Sequence, residues 1–379
     1  MKCNILFIGN NKYTKQAGQE KYHHFLIGIL KNNFACNIHE YHHNLHPLTP
    51  DAYKPYNDVK EFKSNFFIMH KIPKIMPTRL VTKNLKYSMK YFKNHIDLKK
   101  YDLIIDSTQG TFKYIDKWKN KYNSKRLWIQ HQSSSFFNYS FLLGKFGKLI
   151  YKIFSVFGIK THAFYAENGV FFTNEDADDF YKKFHCKCKR FIATPSFDII
   201  KSWKNNIASR QDIVYVGRIE QIQKNIKFLI KLSKYLNCNI HVYGIGPQHH
   251  LVESNPYKII YHKGLSASDV KTIYQKYKYT ILVSKFEGYA FVLSESLSNG
   301  VPIIVRDTFV SAKYIADNGN NGFLLLKKYN AKKCAKLINE IIENDTKYLD
   351  RCKNCISFQS KIDFKKSWIK IFNHFLQNH

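Results

Sequence analysis

From residue 212 onward the chain alternates two hydrophobic periods. Short runs at 212–216, 239–243, 258–261, 279–283 and 302–305 are rich in Ile, Val and Tyr. Between them, apolar residues recur at helical spacing: Ile226, Leu229, Ile230 and Leu232 within 225–235, with further helices predicted at 268–277 and 291–299. Near-continuous apolar strands separated by helices predict a parallel sheet covered on both faces, in a Rossmann-like α/β domain. The first half alternates less cleanly. It predicts strands at 3–8, 103–105, 127–129 and 170–172 and a helix at 19–31. Periodicity lapses near 195–210, which places a domain boundary there and divides the chain into 1–200 and 201–360, followed by a terminal segment, 361–379.

Length agrees with two domains, since 379 residues exceed one ordinary core. With 44% apolar and 23% charged residues, a folded chain is expected rather than a disordered one. The N-terminal apolar stretch ends at Gly9, too short for a signal core, and no apolar run is long enough to span a bilayer. The expected location is the cytoplasm, with peripheral contact at the inner membrane face as a possibility. The 8 cysteines are scattered. Neither close pair, Cys186 with Cys188 or Cys352 with Cys355, is followed by a second pair at finger spacing, so reduced thiols are expected and no metal site.

The formal charge of +32 suggests a polyanionic partner: nucleic acid, an anionic membrane or an acidic glycan. Against this, residues 1–200 hold 32 basic and 15 acidic residues and the remainder 28 and 13, an even spread typical of a lysine-rich composition. Nucleic acid is therefore not expected. Residues 51–100 are locally more basic, with 12 cations and 4 anions. Residues 141–160 form an apolar and basic segment. As a helix it sets Lys145, Lys148 and Lys152 on one face, which suits either an anionic membrane or plain solvent.

Two stretches carry chemistry. In the first, 284–302, a buried strand gives way to a loop containing Glu287 and Gly288, and a helix opens near Ala290. Ligands of open α/β sheets bind beyond the carboxyl ends of strands, and a helix N-terminus presents unpaired N–H groups to an anion. Glu287 and, one turn into the helix, Glu295 would flank a phosphate and accept hydrogen bonds from sugar hydroxyls. In the second stretch, 215–225, Arg218 and Lys224 follow another strand end. An Arg fork with a Lys point charge suits a diphosphate and can neutralise it as a leaving group.

Together, in this order, these stretches resemble the retaining GT-B glycosyltransferases of family GT4, the glycosyl transferases group 1. The likeness lies in the Glu-x7-Glu element at Glu287 and Glu295, the Asn-Gly-Val-Pro that follows, and Gly217-Arg218 with Lys224 six residues after the Arg. The Asn321-Gly322-Phe323 turn adds to it. It is strong over residues 212–341 and looser before them. Gly18 and Gln19 resemble the family's acceptor-side glycine loop, although Ala17 stands where a second glycine is usual. The resemblance implies an α/β GT-B fold, two Rossmann-like domains facing across a cleft, with a last helix near 366–376 crossing back to the first domain. It implies that Arg218 and Lys224 bind the donor diphosphate, that Glu295 holds the ribose and that Glu287 meets the sugar. Backbone N–H groups of Gly288, Tyr289, Ala290 and Phe291 would face phosphate and sugar, Leu265 the base, and His131 the sugar from the opposite domain.

The activity so implied is retaining transfer of a hexose from a nucleotide diphosphate sugar to a glycan, lipid-linked or protein acceptor, in cell-surface polysaccharide or glycoconjugate synthesis, without a metal cofactor. Asp176-Ala177-Asp178 resembles the Asp-x-Asp metal element of the other glycosyltransferase class. Its context, Thr173-Asn174-Glu175-Asp176, reads instead as a helix cap with an acidic first turn. Two other readings stay open: a non-catalytic polyanion-binding protein on the same fold, and a sugar-nucleotide epimerase.

Overall fold

The computed structural model describes residues 3–10, 18–43, 96–107, 125–131, 167–184, 188–205, 207–221, 223–255, 257–263, 267–344 and 346–376. Leu265, most of the basic stretch 51–100 and the segment with Lys145, Lys148 and Lys152 lie outside them.

Two parallel sheets organise the described chain. The first contains β1 (Cys3–Asn10), β2 (Cys36–His43), β3 (Leu103–Asp106), β4 (Lys125–Ile129), β5 (Asn168–Phe171) and β6 (Lys189–Ile192), in the order β2-β1-β3-β4-β5-β6. Helices α1 (Gly18–Asn33) and α2 (Asn174–Phe184) belong to this half. The second sheet contains β7 (Gln211–Val216), β8 (Ile240–Gly244), β9 (Ile259–Lys263), β10 (Tyr277–Leu282), β11 (Ile303–Arg306) and β12 (Gly322–Leu325), ordered β12-β11-β10-β7-β8-β9. Between its strands run α3 (Ile226–Ser233), α4 (His249–Glu253), α5 (Ala267–Thr272), α6 (Phe291–Ser298) and α7 (Ser311–Ala316). Three helices follow: α8 (Ala331–Asn344), α9 (Tyr348–Ser360) and α10 (Phe364–Leu376). The second sheet has the doubly wound order in which the chain reverses direction between its first and fourth strands, here β7 and β10. This is the α/β, GT-B architecture.

The predicted strands are present, with ends moved by a residue or two. The helix expected at 268–277 is shorter. It is α5 followed by a tight 3-10 turn, Ile273–Lys276, and Tyr277 already pairs with Gln211 in the sheet. Burial explains the change: the Tyr277 hydroxyl bonds to that of Tyr243 at 2.7 Å, which holds the residue in the strand. In the first sheet two strands, β2 and β6, were not predicted. Both lie at an edge of the first sheet, and their sequences, Cys-Asn-Ile-His-Glu-Tyr-His-His and Lys-Arg-Phe-Ile, lack the continuous apolar run of a central strand.

After the second sheet is complete, α10 lies against the first. Phe372 meets Phe34 with ring centroids 5.8 Å apart, Phe364 stacks on Phe25 at 5.0 Å, and Phe375 meets Phe191 at 5.5 Å. The Lys125 ammonium donates to the carbonyl of Phe375 at 2.9 Å. The apolar stripe of α10, with Trp368 fully buried at its centre, is what makes this return favourable.

Candidate functional site

The two chemistry-bearing stretches, far apart in sequence, meet because β7 and β10 are neighbours, with Thr280 opposite Val214. The loop after β7 lies flat on the end of β8. Ile219 donates its N–H to Ile245, and a Cβ on Gly244 would sit 1.9 Å from the carbonyl oxygen of Gly217, so only glycine permits the approach. Glu220 then curls the loop by accepting from the N–H groups of Gln223 and Lys224, at 3.0 and 3.1 Å. Asn225, in the left-handed region with φ 60°, caps α3 and donates its side-chain amide to the carbonyl of Val283 at 3.2 Å. Lys285 donates its N–H to Gln223 at 2.7 Å. These bonds lace the loop after β7 to the loop after β10.

Across that lacing runs a side-chain chain. The Arg218 guanidinium donates to Gln223 Oε1 at 2.8 Å, and Gln223 Nε2 donates to Glu287 Oε2 at 2.8 Å. Lys224 Nζ meets Glu287 Oε1 at 2.6 Å. Arg218 is exposed, whereas Lys224 and Glu287 are 9% and 6% exposed. Gln223 was absent from the sequence reading; its amide accepts from the guanidinium through Oε1 and donates to the carboxylate through Nε2. The sequence reading also treated Lys224 and Glu287 as independent ligand contacts. Here they hold each other, because a buried ammonium and a buried carboxylate each need a partner.

Past Glu287 the chain turns into α6. Ser311 donates its hydroxyl to the Gly288 carbonyl at 2.7 Å, and Ala290 takes a left-handed conformation, φ 51°, before the first helical turn. That conformation costs an L-residue about 1–2 kcal/mol, a strain typical of functional turns. The helix closes its first turn with the Leu293 N–H donating to the Ala290 carbonyl at 2.8 Å, and the N–H groups of Phe291 and Val292 precede that turn. The side chains of Tyr289 and Phe291 pack against the first half: Phe291 stacks on Tyr22 at 6.1 Å and Tyr289 meets Phe172 at 5.9 Å. Glu295, on α6, accepts from the Tyr274 hydroxyl at 2.9 Å.

The opposite wall comes from the first sheet. His131 follows β4, its ring packed against Tyr22 at 5.0 Å and Phe172 at 5.6 Å, and its Nε2 lies 2.5 Å from the Ser107 hydroxyl. The ring keeps some exposure but is enclosed by protein on most sides, and that desolvation lowers its pKa to about 3, leaving it neutral. Ser107 also bonds His23 of α1. Neither residue was singled out from sequence. Gly18 and Gln19 open α1.

Asp176 and Asp178 stand two residues apart on α2, which turns them to different sides of the helix. Thr173 caps the helix, accepting from the Asp176 N–H at 3.1 Å, while Asp178 pairs with Arg190 at 2.5 Å. Burial raises the Asp176 carboxyl pKa to about 7, against the opposing effect of the Thr173 hydrogen bond. The folded state therefore holds a proton on Asp176 between about pH 4 and 7 that the unfolded state has lost, and stability falls as pH rises through that window. Asp176→Asn is expected to gain on wild type from pH 5 to pH 8 in denaturant melts, by at most about 3 kcal/mol. A difference that does not change with pH would contradict the raised pKa.

Comparison with known proteins places this geometry. Residues 198–357 match the family described as glycosyl transferases group 1, which spans both loops and the Lys224–Glu287 pair. Those residues form a glycosyl transferases group 1 domain. One curated relative, poly(glycerol-phosphate) alpha-glucosyltransferase of Bacillus subtilis, is 25% identical over 107 residues, 27% of this chain. The aligned part is only 16% of that relative's length. Among solved structures, sucrose-phosphate synthase from Thermosynechococcus elongatus superposes with a TM-score of 0.78 at 13% identity, covering 99% of each chain. Anabaena HepE in complex with UDP and glucose superposes at 0.63 with 13% identity and covers 100% of each. S. aureus TarM in complex with Fondaparinux, alpha-GlcNAc-glycerol and UDP superposes at 0.57 with 19% identity, covering 78% of this chain and 61% of that one. At these identities the likeness shows the GT-B fold, and the group 1 match adds the family of the C-terminal half.

Proposed function

We propose that the protein is a glycosyltransferase that moves a hexose from a nucleotide diphosphate sugar to an acceptor hydroxyl, with retention. The observation that carries this reading is the Arg218–Gln223–Glu287–Lys224 chain at the switch point between β7 and β10, beside the open N-terminus of α6. Arg218 and Lys224 bind the diphosphate and neutralise it as it leaves, so they take the place of a metal ion. The α6 N-terminus adds backbone N–H groups to the phosphate and sugar. Glu287 orients the sugar hydroxyls, Glu295 holds the ribose and His131 meets the sugar from the other wall. Closing the halves around the donor excludes water and limits hydrolysis.

The acceptor in this reading carries or adjoins negative charge. Support comes from the local excess of cations in residues 51–100, 12 against 4 anions, and from the poly(glycerol-phosphate) in the name of the Bacillus subtilis relative. Among the described residues no helix is long and apolar enough to cross a membrane. Flotation with anionic and neutral vesicles separates a membrane-borne acceptor from a soluble polymer.

The test of the donor assignment is thermal unfolding with a panel of nucleoside diphosphates in the presence of EDTA. A ligand that binds only the native state raises its stability by about 2.7 kcal/mol at a hundredfold excess over Kd. One base is expected to raise the melting temperature, and chelation to leave both that shift and turnover intact. Absence of a shift with every base removes the donor assignment. Loss of activity on chelation, restored by manganese or magnesium, removes the metal-free mechanism.

A further inference from the structure

We propose that Ser107 and His23 are positioning residues for His131: they fix the tautomer with which its ring meets a hydroxyl of the donor sugar. The proposal rests on the cleft being a nucleotide-sugar site, as argued above. Ser107 stands just past the end of β3, 1% exposed, and His23 on α1 is 4% exposed. The serine oxygen is bonded to Nε2 of both imidazoles. Around the ring of His131 the packing is aromatic: Tyr22, Phe172 and, at 5.5 Å, His23 itself. Among the described residues Nδ1 of His131 has no hydrogen-bond partner, so it is the nitrogen left for a ligand.

Proton counting couples the three groups. A hydroxyl owns one hydrogen and can give it to one imidazole only. The two histidines therefore cannot both present a lone pair to Ser107, because one of the two contacts would lack a hydrogen. When Ser107 donates to His131, that ring carries its proton on Nδ1 and offers N–H to the cleft, while His23 donates from Nε2. When His131 donates to Ser107, it offers the cleft a lone pair instead. A neutral imidazole with neither partner would sample both forms and present the wrong one part of the time. Ser107 ties that choice to His23: when His23 presents its Nε2 lone pair, the serine hydrogen goes to it and His131 must donate from Nε2, leaving the Nδ1 lone pair for the cleft. A sugar hydroxyl serves as donor or acceptor, so a fixed tautomer fixes the orientation of that hydroxyl as well.

The experiment is 15N NMR of the full-length protein with labelled histidine, assigned by single substitution, comparing wild type with Ser107→Ala and His23→Phe. Wild-type His131 is expected to show one neutral tautomer, unchanged from pH 5.5 to 8. In Ser107→Ala it is expected to show mixed tautomers, and in His23→Phe a shifted proton position. A second readout is kinetic: in Ser107→Ala, kcat with the nucleotide sugar falls about tenfold or more while the Kd of the sugar-free nucleoside diphosphate stays put. A purely structural serine would lower stability and leave the His131 tautomer where it was. Averaged tautomers in wild type, or an unaltered His131 signal in both variants, overturns the proposal. If no nucleotide sugar is turned over by wild type, the glycosyltransferase reading fails by itself, and the NMR spectra still decide whether Ser107 and His23 hold the ring.

Discussion

Arg218→Ala is expected to lower turnover about a hundredfold or more while leaving the melting temperature within a degree or so of wild type. Removing one preorganised contact to a developing charge costs about 2.7–4 kcal/mol of transition-state stabilisation. Arg218 is exposed, and among the described residues its guanidinium bonds only Gln223, so the fold loses little with it. Lys224→Ala behaves differently. Lys224 neutralises Glu287 at 2.6 Å inside the protein. Deleting one side of a buried pair leaves an uncompensated charge and costs about 3–5 kcal/mol. Lys224→Ala therefore loses both turnover and stability. The double variant Lys224→Met with Glu287→Gln, which leaves no charge unpaired, is expected to recover much of the stability and none of the turnover. Steady-state kinetics and denaturant melts on the three proteins separate the effects. Wild-type rates in both Arg218→Ala and Lys224→Ala would end the diphosphate assignment.

The second large effect falls on stability. Trp368 is fully buried at the middle of α10, 5.1 Å from the ring of Phe372 and 6.2 Å from that of Tyr22. Trp368→Ala leaves a cavity that aromatic neighbours cannot collapse into, for which about 3–5 kcal/mol is expected. Trp368→Phe keeps most of the volume, so its loss is expected to be smaller. Because α10 follows the second sheet in the chain but packs on the first, the cost in Trp368→Ala should appear in the first half. Limited proteolysis is expected to cut residues of the first sheet at lower denaturant than residues of the second. An unchanged denaturation midpoint in Trp368→Ala contradicts this account of α10.

What could be read from the sequence follows from burial. Central strands such as Ile213 to Val216 and Tyr279 to Leu282 are covered on both faces, so their apolar runs are continuous and their number and type were visible. Edge strands β2 and β6 meet solvent or a single neighbour, carry mixed residues, and were missed. Arg218, Lys224, Glu287 and Glu295 could be singled out because each lies at a fixed offset from a strand end or helix start, and local chemistry shows along a chain.

Their mutual arrangement was another matter. That Lys224 closes on Glu287, that Gln223 joins Arg218 to that pair, and that Ser107 stands between His23 and His131 depend on segments 24 to 84 residues apart becoming neighbours. Hydrophobic periodicity determines which segments are strands and helices, because a segment's own pattern decides what it can bury. Sheet order and loop packing decide which polar groups meet, because a buried charge or hydroxyl takes its partner from whatever element the fold brings within about 3 Å. The sequence by itself determined the two Rossmann-like halves and the residues at their strand ends. Only the tertiary structure decided that those residues hold one another in pairs, since pairing energies arise from distances that no single segment contains.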